Sequence, residues 1–289
     1  MKLTRRRFAM LLALTPGVGG RRLTRILARC DLLALTPEEF LALPVDAKMA
    51  EFRLPASVAQ RLSQTPDAIV STHAAMEERL EKHGITLVTT ADALYPTRLE
   101  AFDPQCPAAL FLYGNTRLLD ARCFAVLSSR NTPPAGLDTI ERLAEEGVLR
   151  SEVLVCGHDR PEYQRAAVVP LRWGSPRILG LDRGLFQALG DDLTEEPFRA
   201  ARLWRYQFDP LTDLVVSVVP PTTGFKGLNN QVRDRIVAGL AHRQDFVVVR
   251  EGGVMEKLLR MGLQAGCPVR VGDHSPGYRE YVREGASVL

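Results

Sequence analysis

Apolar positions along the first eighty or so residues recur at helical spacing, and no good strand interrupts them. Residues 8–14 predict a short helix and 16–20 a turn. Residues 21–30 predict a helix with Leu23, Ile26 and Leu27 on one face and Arg21, Arg22, Arg25 and Arg29 elsewhere. Thr36-Pro37-Glu38-Glu39 is a helix start, with a hydroxyl cap, proline at the first helical position and glutamate at the third. Two more helices are expected over 55–62 and 66–83. After Gly84 the period changes. Short β-branched or apolar runs follow at 85–90, 108–113, 123–128, 153–156, 168–171, 178–181, 214–219, 246–249 and 269–271, most of them separated by helical stretches such as 138–146, 195–203, 230–241 and 254–265. Continuous apolar strands alternating with amphipathic helices imply a mostly parallel sheet covered on both faces. The expected fold is α/β and doubly wound, with a small all-α N-terminal domain at 1–84 and the sheet domain at 85–289.

In such sheets ligands bind outside the carboxyl ends of the strands, near helix N-termini. That rule selects four loops, at 128–136, 156–163, 219–230 and 250–254.

The chain has 289 residues, 46% of them apolar and 25% charged, as in an ordinary globular protein. Its formal charge is only +3, but residues 1–30 hold eight basic side chains and no acidic one, so the remainder sums to about −5. The five cysteines are widely spaced, without a CxxC or Cys/His cluster of zinc-ligand spacing. Reduced thiols in a cytoplasmic protein are expected, with neither a metal site nor a disulfide framework. No apolar run approaches the ~18 residues that would span a bilayer, so no membrane association is expected. The Thr4-Arg5-Arg6-Arg7-Phe8 start resembles a twin-arginine export signal. Its apolar stretch is short and runs into a Pro-Gly turn and further arginines, so the segment reads as part of a folded domain.

Four segments could carry chemistry. In Pro16-Gly17-Val18-Gly19-Gly20-Arg21-Arg22 a glycine turn between helices lets backbone approach a phosphate, and the arginines add charge-assisted contacts. This resembles a helix-hairpin-helix module, in a domain of SAM-like size, and Gly17, Gly19, Arg21 and Arg22 are its candidate DNA contacts. A plain turn with a solvated basic face is the alternative. In Ser128-Ser129-Arg130 the serines follow a buried strand and could cap the coming helix or donate to an anion that Arg130 clamps, with a plain strand-to-helix turn as the alternative. In Phe225-Lys226 and Arg233-Asp234-Arg235 the helix is expected to bury Val232, Ile236, Val237 and Leu240, with both arginines pointing away from that stripe; an Arg-Asp pair that merely holds the loop is the alternative. In Arg250-Glu251-Gly252-Gly253 paired glycines would expose N–H groups toward a ligand, or would equally serve only a tight turn.

In order, these pieces resemble the DNA-processing protein A family (DprA, also called Smf). The run Tyr95-Pro96-x-x-Leu99 is followed by Phe102-Asp103-Pro104, Pro107, Leu110-Phe111 and Tyr113-Gly114. Ser128-Ser129-Arg130 stands where the family has Gly-Ser-Arg. Arg233-Asp234-Arg235-Ile236-Val237-Ala238-Gly239-Leu240 agrees with the family's Arg-Asn-Arg-Ile-Ile-Ala-Gly-Leu at six of eight positions, and Glu284-Gly285-Ala286 is similar to the end of the family's sheet domain. The resemblance implies a helical N-terminal domain followed by an extended Rossmann-like domain, in a non-catalytic, cofactor-free homodimer that binds single-stranded DNA in DNA uptake and natural transformation (competence). It would protect that DNA and help to load a RecA-type recombinase. Carried over, the phosphate contacts would be Ser128, Ser129, Arg130, Gly157, Lys226, Arg233 and Arg235, with Gly252 and Gly253 alongside. The chain departs from the family at Cys156-Gly157-His158-Asp159-Arg160 and at Glu251–256, and it is expected to be a divergent member lacking the C-terminal winged helix.

Two other readings come from different classes. Gly252-Gly253 with Glu256 is similar to the loop of Rossmann-type nucleotide phosphoribohydrolases, in which Glu256 would act as acid/base. A sensor of a nucleotide-derived ligand would use the same pocket without chemistry.

Overall fold

The computed structural model describes residues 3–63 and 66–289. They form two compact units, one comprising residues 1–95 with 104–110 and the other 96–103 with 111–289.

The first unit contains α1 (Arg5–Leu14), α2 (Gly20–Leu32), α3 (Pro37–Ala42), α4 (Val45–Phe52), α5 (Ala56–Ser63), α6 (Pro66–Lys82) and β1 (Thr86–Thr89). Thr36 caps α3 through a reciprocal capping box with Glu39, with Pro37 in the first turn. The core gathers Phe8, Leu12, Leu23, Ile26, Phe40 and Phe52. Phe40 meets Phe8 and Phe52 edge-on, with ring centroids 5.3 and 4.8 Å apart. Gly17 closes the turn between α1 and α2 at φ +94°, and a Cβ there would meet Val58 at 2.8 Å, so the turn demands glycine for conformation and for space.

The second unit is a mixed α/β fold whose largely parallel sheet is flanked by helices. It contains α7 (Thr97–Phe102), β2 (Ala109–Gly114), β3 (Cys123–Leu127), α8 (Pro134–Leu149), β4 (Val153–Cys156), α9 (Pro161–Trp173) and β5 (Arg177–Leu181). After these come α10 (Leu185–Leu189), α11 (Arg199–Arg202), β6 (Leu214–Ser217), α12 (Asn229–Leu240), β7 (Arg243–Phe246), α13 (Val254–Gln264), β8 (Val269–Val271), α14 (Tyr278–Arg283) and β9 (Ser287–Val288). The strand order β2-β6-β5-β4-β3-β7-β8-β9 is parallel except where β2 runs against β6. From β3 the chain winds through β4 and β5 to β6 on one side, then returns to place β7 on the other side of β3. The order therefore reverses between β3 and β7, which makes that gap the topological switch point.

Four expectations need correction. The helix expected at 195–203 covers only Arg199–Arg202, and the strand expected at 246–249 is shifted to Arg243–Phe246, so its apolar residues run on into the loop beyond the strand end. Residues 168–171 form no strand: Val168 and Val169 lie in α9, where they are buried with Ala166 and Ala167. Their β-branched run reflects burial on a helix covering the sheet rather than extended backbone. Arg233 does not point away from the apolar stripe of α12. It is four residues before Val237 and seven before Leu240, hence on the same face, and it is 1% exposed.

A buried ion network ties the segment after α10 to the sheet. Arg177, at the start of β5, donates from Nε to Asp213 at 2.8 Å and from Nη2 to both Glu196 oxygens at 2.7 and 2.6 Å, and all three side chains are fully buried. Arg177→Met would strand two carboxylates without their main cation. Urea denaturation should show it less stable than the parent by about 3–5 kcal/mol; an unchanged midpoint would mean that the network adds nothing to stability.

Candidate nucleic-acid interface

The switch point opens onto a crevice of about 290 Å³. It is lined by Ser129 and Arg130 after β3, Arg160 before α9, Asn230, Gln231 and Asp234 on α12, and Arg250, Gly253, Val254 and Met255 after β7. The strand pairing continues past the ends of β3 and β7 to build its rim. Ser129 N–H donates to the Val248 carbonyl at 2.8 Å, the Ser128 Oγ accepts from Val248 N–H at 3.2 Å, and the Ser129 Oγ accepts from Arg250 N–H at 3.0 Å. The Ser128 Oγ also lies 2.7 Å from the Thr132 Oγ1, which donates to the Ser129 carbonyl. The serines are therefore buried stitches between two loops.

Two features of this rim favour an anion. Arg130 and Arg250 are exposed, and among the described residues neither forms an ion pair. The N-termini of α12 and α13 both reach the crevice, and neither N-cap residue, Leu228 or Gly253, makes a side-chain cap bond; at α13 only the Gly252 N–H is taken by a side chain, that of Glu256. Uncapped N–H groups and the positive end of the helix dipole attract phosphate.

Behind the rim is an electrically balanced cluster. Asp234 accepts from the Tyr163 hydroxyl at 2.7 Å, from Arg233 Nε at 2.8 Å and from Arg160 Nη2 at 3.1 and 3.2 Å. Arg233 Nη1 lies 2.7 Å from Asp159, and both guanidinium groups stack on the Tyr163 ring, 4.7 and 4.8 Å from its centroid. Burial alone would weaken the charge on Arg233. The surrounding Tyr163, Asp234 and Asp159 outweigh burial and hold the guanidinium firmly protonated. Gly157 makes room for this group: a Cβ there would fall 2.6 Å from Arg233 Nη1 and 2.7 Å from the Tyr163 ring.

Of the residues singled out from sequence, Ser129, Arg130 and Gly253 line the crevice together. Ser128 lies beneath them, and Gly157 and Arg233 belong to the buried cluster. Lys226 and Gly252 are exposed and do not line the crevice. Arg235 is partly exposed with its Nε 3.4 Å from Asp103. Gly19, Arg21 and Arg22 line a separate cavity of about 370 Å³ within the first unit, with Arg25, Pro104 and Gln105. Gly17 stays outside it, accepting a hydrogen bond from Arg22 Nη1 at its carbonyl. Arg160 and Arg250 were missed as site residues. Each is an arginine beyond the carboxyl end of a strand, and that position was the available signal.

Glu256 does not face a substrate pocket as an acid/base should. Its Oε2 accepts from Gly252 N–H at 2.5 Å, and its Oε1 is 3.2 Å from Arg260 Nη2. One oxygen is spent on the start of α13 and the other on an i,i+4 pair with Arg260 along the helix. Among the described residues there is no metal-binding cluster, and no helix is long and apolar enough to cross a membrane.

Asp159 and Asp182 give the site an acid limit. Burial would raise both carboxyls, but Arg233 beside Asp159, and His158 with Arg183 beside Asp182, outweigh it and hold each below the ordinary 3.8. The folded state thus binds fewer protons than the unfolded chain, and the stabilisation is whole above 3.8 and lost as pH falls through the lowered values. Urea midpoints should be flat from about pH 5 upward with respect to these groups and fall below about pH 4. Asp182→Asn should show a shallower fall, and an equal fall would exclude Asp182 as a contributor.

Residues 86–160 match the family model described as DNA recombination-mediator protein A. No curated protein matches the chain significantly. Among solved structures, DNA processing protein A (DprA) from Streptococcus pneumoniae superposes with a TM-score of 0.74 at 20% identity, covering 100% of this chain and 95% of that one. DNA processing protein A from Helicobacter pylori gives a TM-score of 0.53 at 17% identity, covering 70% of this chain and 89% of the other. The chain thus shares its fold with these proteins, and the stretch that matches the family model contains the Ser128-Ser129-Arg130 rim.

Proposed function

We propose that this chain is a DprA-like, non-catalytic single-stranded DNA-binding protein whose crevice at the β3–β7 switch point holds the sugar-phosphate backbone. The observation that carries the reading is the convergence of Arg130 and Arg250, which form no ion pair among the described residues, with the N-termini of α12 and α13 on one rim. Phosphate needs such groups, and a single strand can be held by its backbone without base-edge readout. The family-model match and the fold likeness support the same conclusion. The Helicobacter pylori structure concerns a single-stranded DNA binding mode of that protein.

In this reading Ser129, Arg130, Arg250 and Gly253 meet phosphate. Ser128, Gly157 and Arg233 hold the rim and the cluster behind it, and Lys226 and Gly252 extend the track. Arg235 contributes charge at a distance. The cavity bearing Gly19, Arg21 and Arg22 is a secondary contact for the same polyanion, formed by the glycine turn that Gly17 closes. Its arginines have no carboxylate partner among the described residues. The reading extends to a cytoplasmic homodimer that passes its DNA to a RecA-type recombinase during uptake and recombination.

Fluorescence anisotropy with labelled oligo-dT provides the test. Binding should weaken steeply as salt rises, and Arg130→Ala and Arg250→Ala should each cost about fivefold and lower the log–log salt slope by about 0.7. Flat salt dependence together with tight binding of a nucleoside monophosphate would replace this reading with that of a nucleotide sensor.

A further inference from the structure

One carboxylate lines the otherwise cationic crevice. Asp234 is 4% exposed and lines the cavity together with Arg160. Its two oxygens are used unequally. Oδ1 is held from behind by the Tyr163 hydroxyl and Arg233 Nε, both buried, and it also receives Arg160; the side-chain hydrogen bond to Oδ2 comes from Arg160 alone. Arg160 Nη2 lies 3.1 and 3.2 Å from the two oxygens, a bifurcated contact of the kind a guanidinium also makes with two phosphate oxygens. Arg160 is not fully used by this contact. Its Nε is buried without a hydrogen-bond partner, and the Asp159 Oδ1 lies 3.9 Å from it. Arg160 is thus the one cation of the cluster that both lines the cavity and retains unused donor capacity.

We propose that Asp234 is the affinity-setting residue of the crevice, an internal anion that occupies Arg160 in the place of a phosphate. The inference rests on the polyanion-binding reading above. The four charges Arg160, Arg233, Asp159 and Asp234 cancel, so the crevice meets DNA with the net charge of Arg130 and Arg250 only. A neutral amide at position 234 still accepts from Tyr163 and Arg233 through its oxygen, but it releases Arg160 to bind one further phosphate.

The test compares four full-length chains: the parent, Asp234→Asn, Arg160→Gln and the double variant. Each is titrated with oligo-dT across a range of salt, with its thermal midpoint recorded. Asp234→Asn should bind several-fold more tightly at low salt, with a slope steeper by about 0.7, one more phosphate neutralised on a single strand. Arg160→Gln should bind oligo-dT more weakly than the parent, because Asp234 is left without its cation at the crevice, and it should remove the added slope in the Asp234→Asn background, a coupling that independent sites would not show. An Asp234→Asn chain with a parental midpoint and an unchanged or shallower slope overturns the proposal. Should Asp234→Asn fail to fold, Arg160→Gln decides alone: a slope reduced by one contact would show Arg160 already on phosphate in the parent. If the parent binds no oligonucleotide, the reading of the crevice fails and takes the proposal with it. If the parent binds but Asp234→Asn gains nothing, only the role of Asp234 is lost.

Discussion

The parallel pairing of β3 with β7 is what the site is built on. Where strand order reverses, no crossover connection covers the carboxyl ends of the two strands, and their outgoing loops diverge to leave a crevice. Here the loops are prevented from splaying by hydrogen bonds that continue the ladder: Ser129 N–H to Val248, Val248 N–H to the Ser128 hydroxyl, and Arg250 N–H to the Ser129 hydroxyl. Each is worth about 1 kcal/mol net, but any of these buried groups left without a partner would cost more. The two arginines that follow these serines and valines therefore project from a fixed rim rather than from mobile loops, which reduces the entropy lost when they grip a ligand.

Arginine has two physical roles in this chain. Arg177 and Arg233 are almost wholly buried and surrounded by carboxylates, where a planar guanidinium can satisfy several acceptors at once. Arg130 and Arg250 are exposed and unpaired among the described residues, where the same group is available to phosphate. The difference lies in the carboxylates. Asp159, Asp213, Glu196 and Asp234 are spent inside, so the acidic residues that bring the formal charge down to +3 do not neutralise the rim. Net charge is therefore a poor guide to what this surface binds.

Much of the architecture was legible in the order of residues. Helical spacing before Gly84 and apolar runs after it are local consequences of burial on one face, and the capping box at Thr36 and Glu39 needs only neighbours three positions apart. The stretch at 168–171 misled because a β-branched run signals burial before it signals conformation. That stretch lies in α9, which is packed against α8 and the sheet. The loops at the carboxyl ends of β3 and β7 could be named as ligand sites because the doubly wound rule depends only on topology.

The chain order alone therefore settled the class of fold, the helical start and the edge of the sheet where a ligand would sit, since each follows from periodicity and connectivity. It could not settle which arginines face that edge. Arg160 reaches Asp234 across 74 positions, and Arg233 reaches Asp159 across a similar span. Whether a guanidinium points to solvent or to a buried acid depends on the partner that tertiary packing brings within about 3 Å, and no pattern of neighbouring residues encodes that distance.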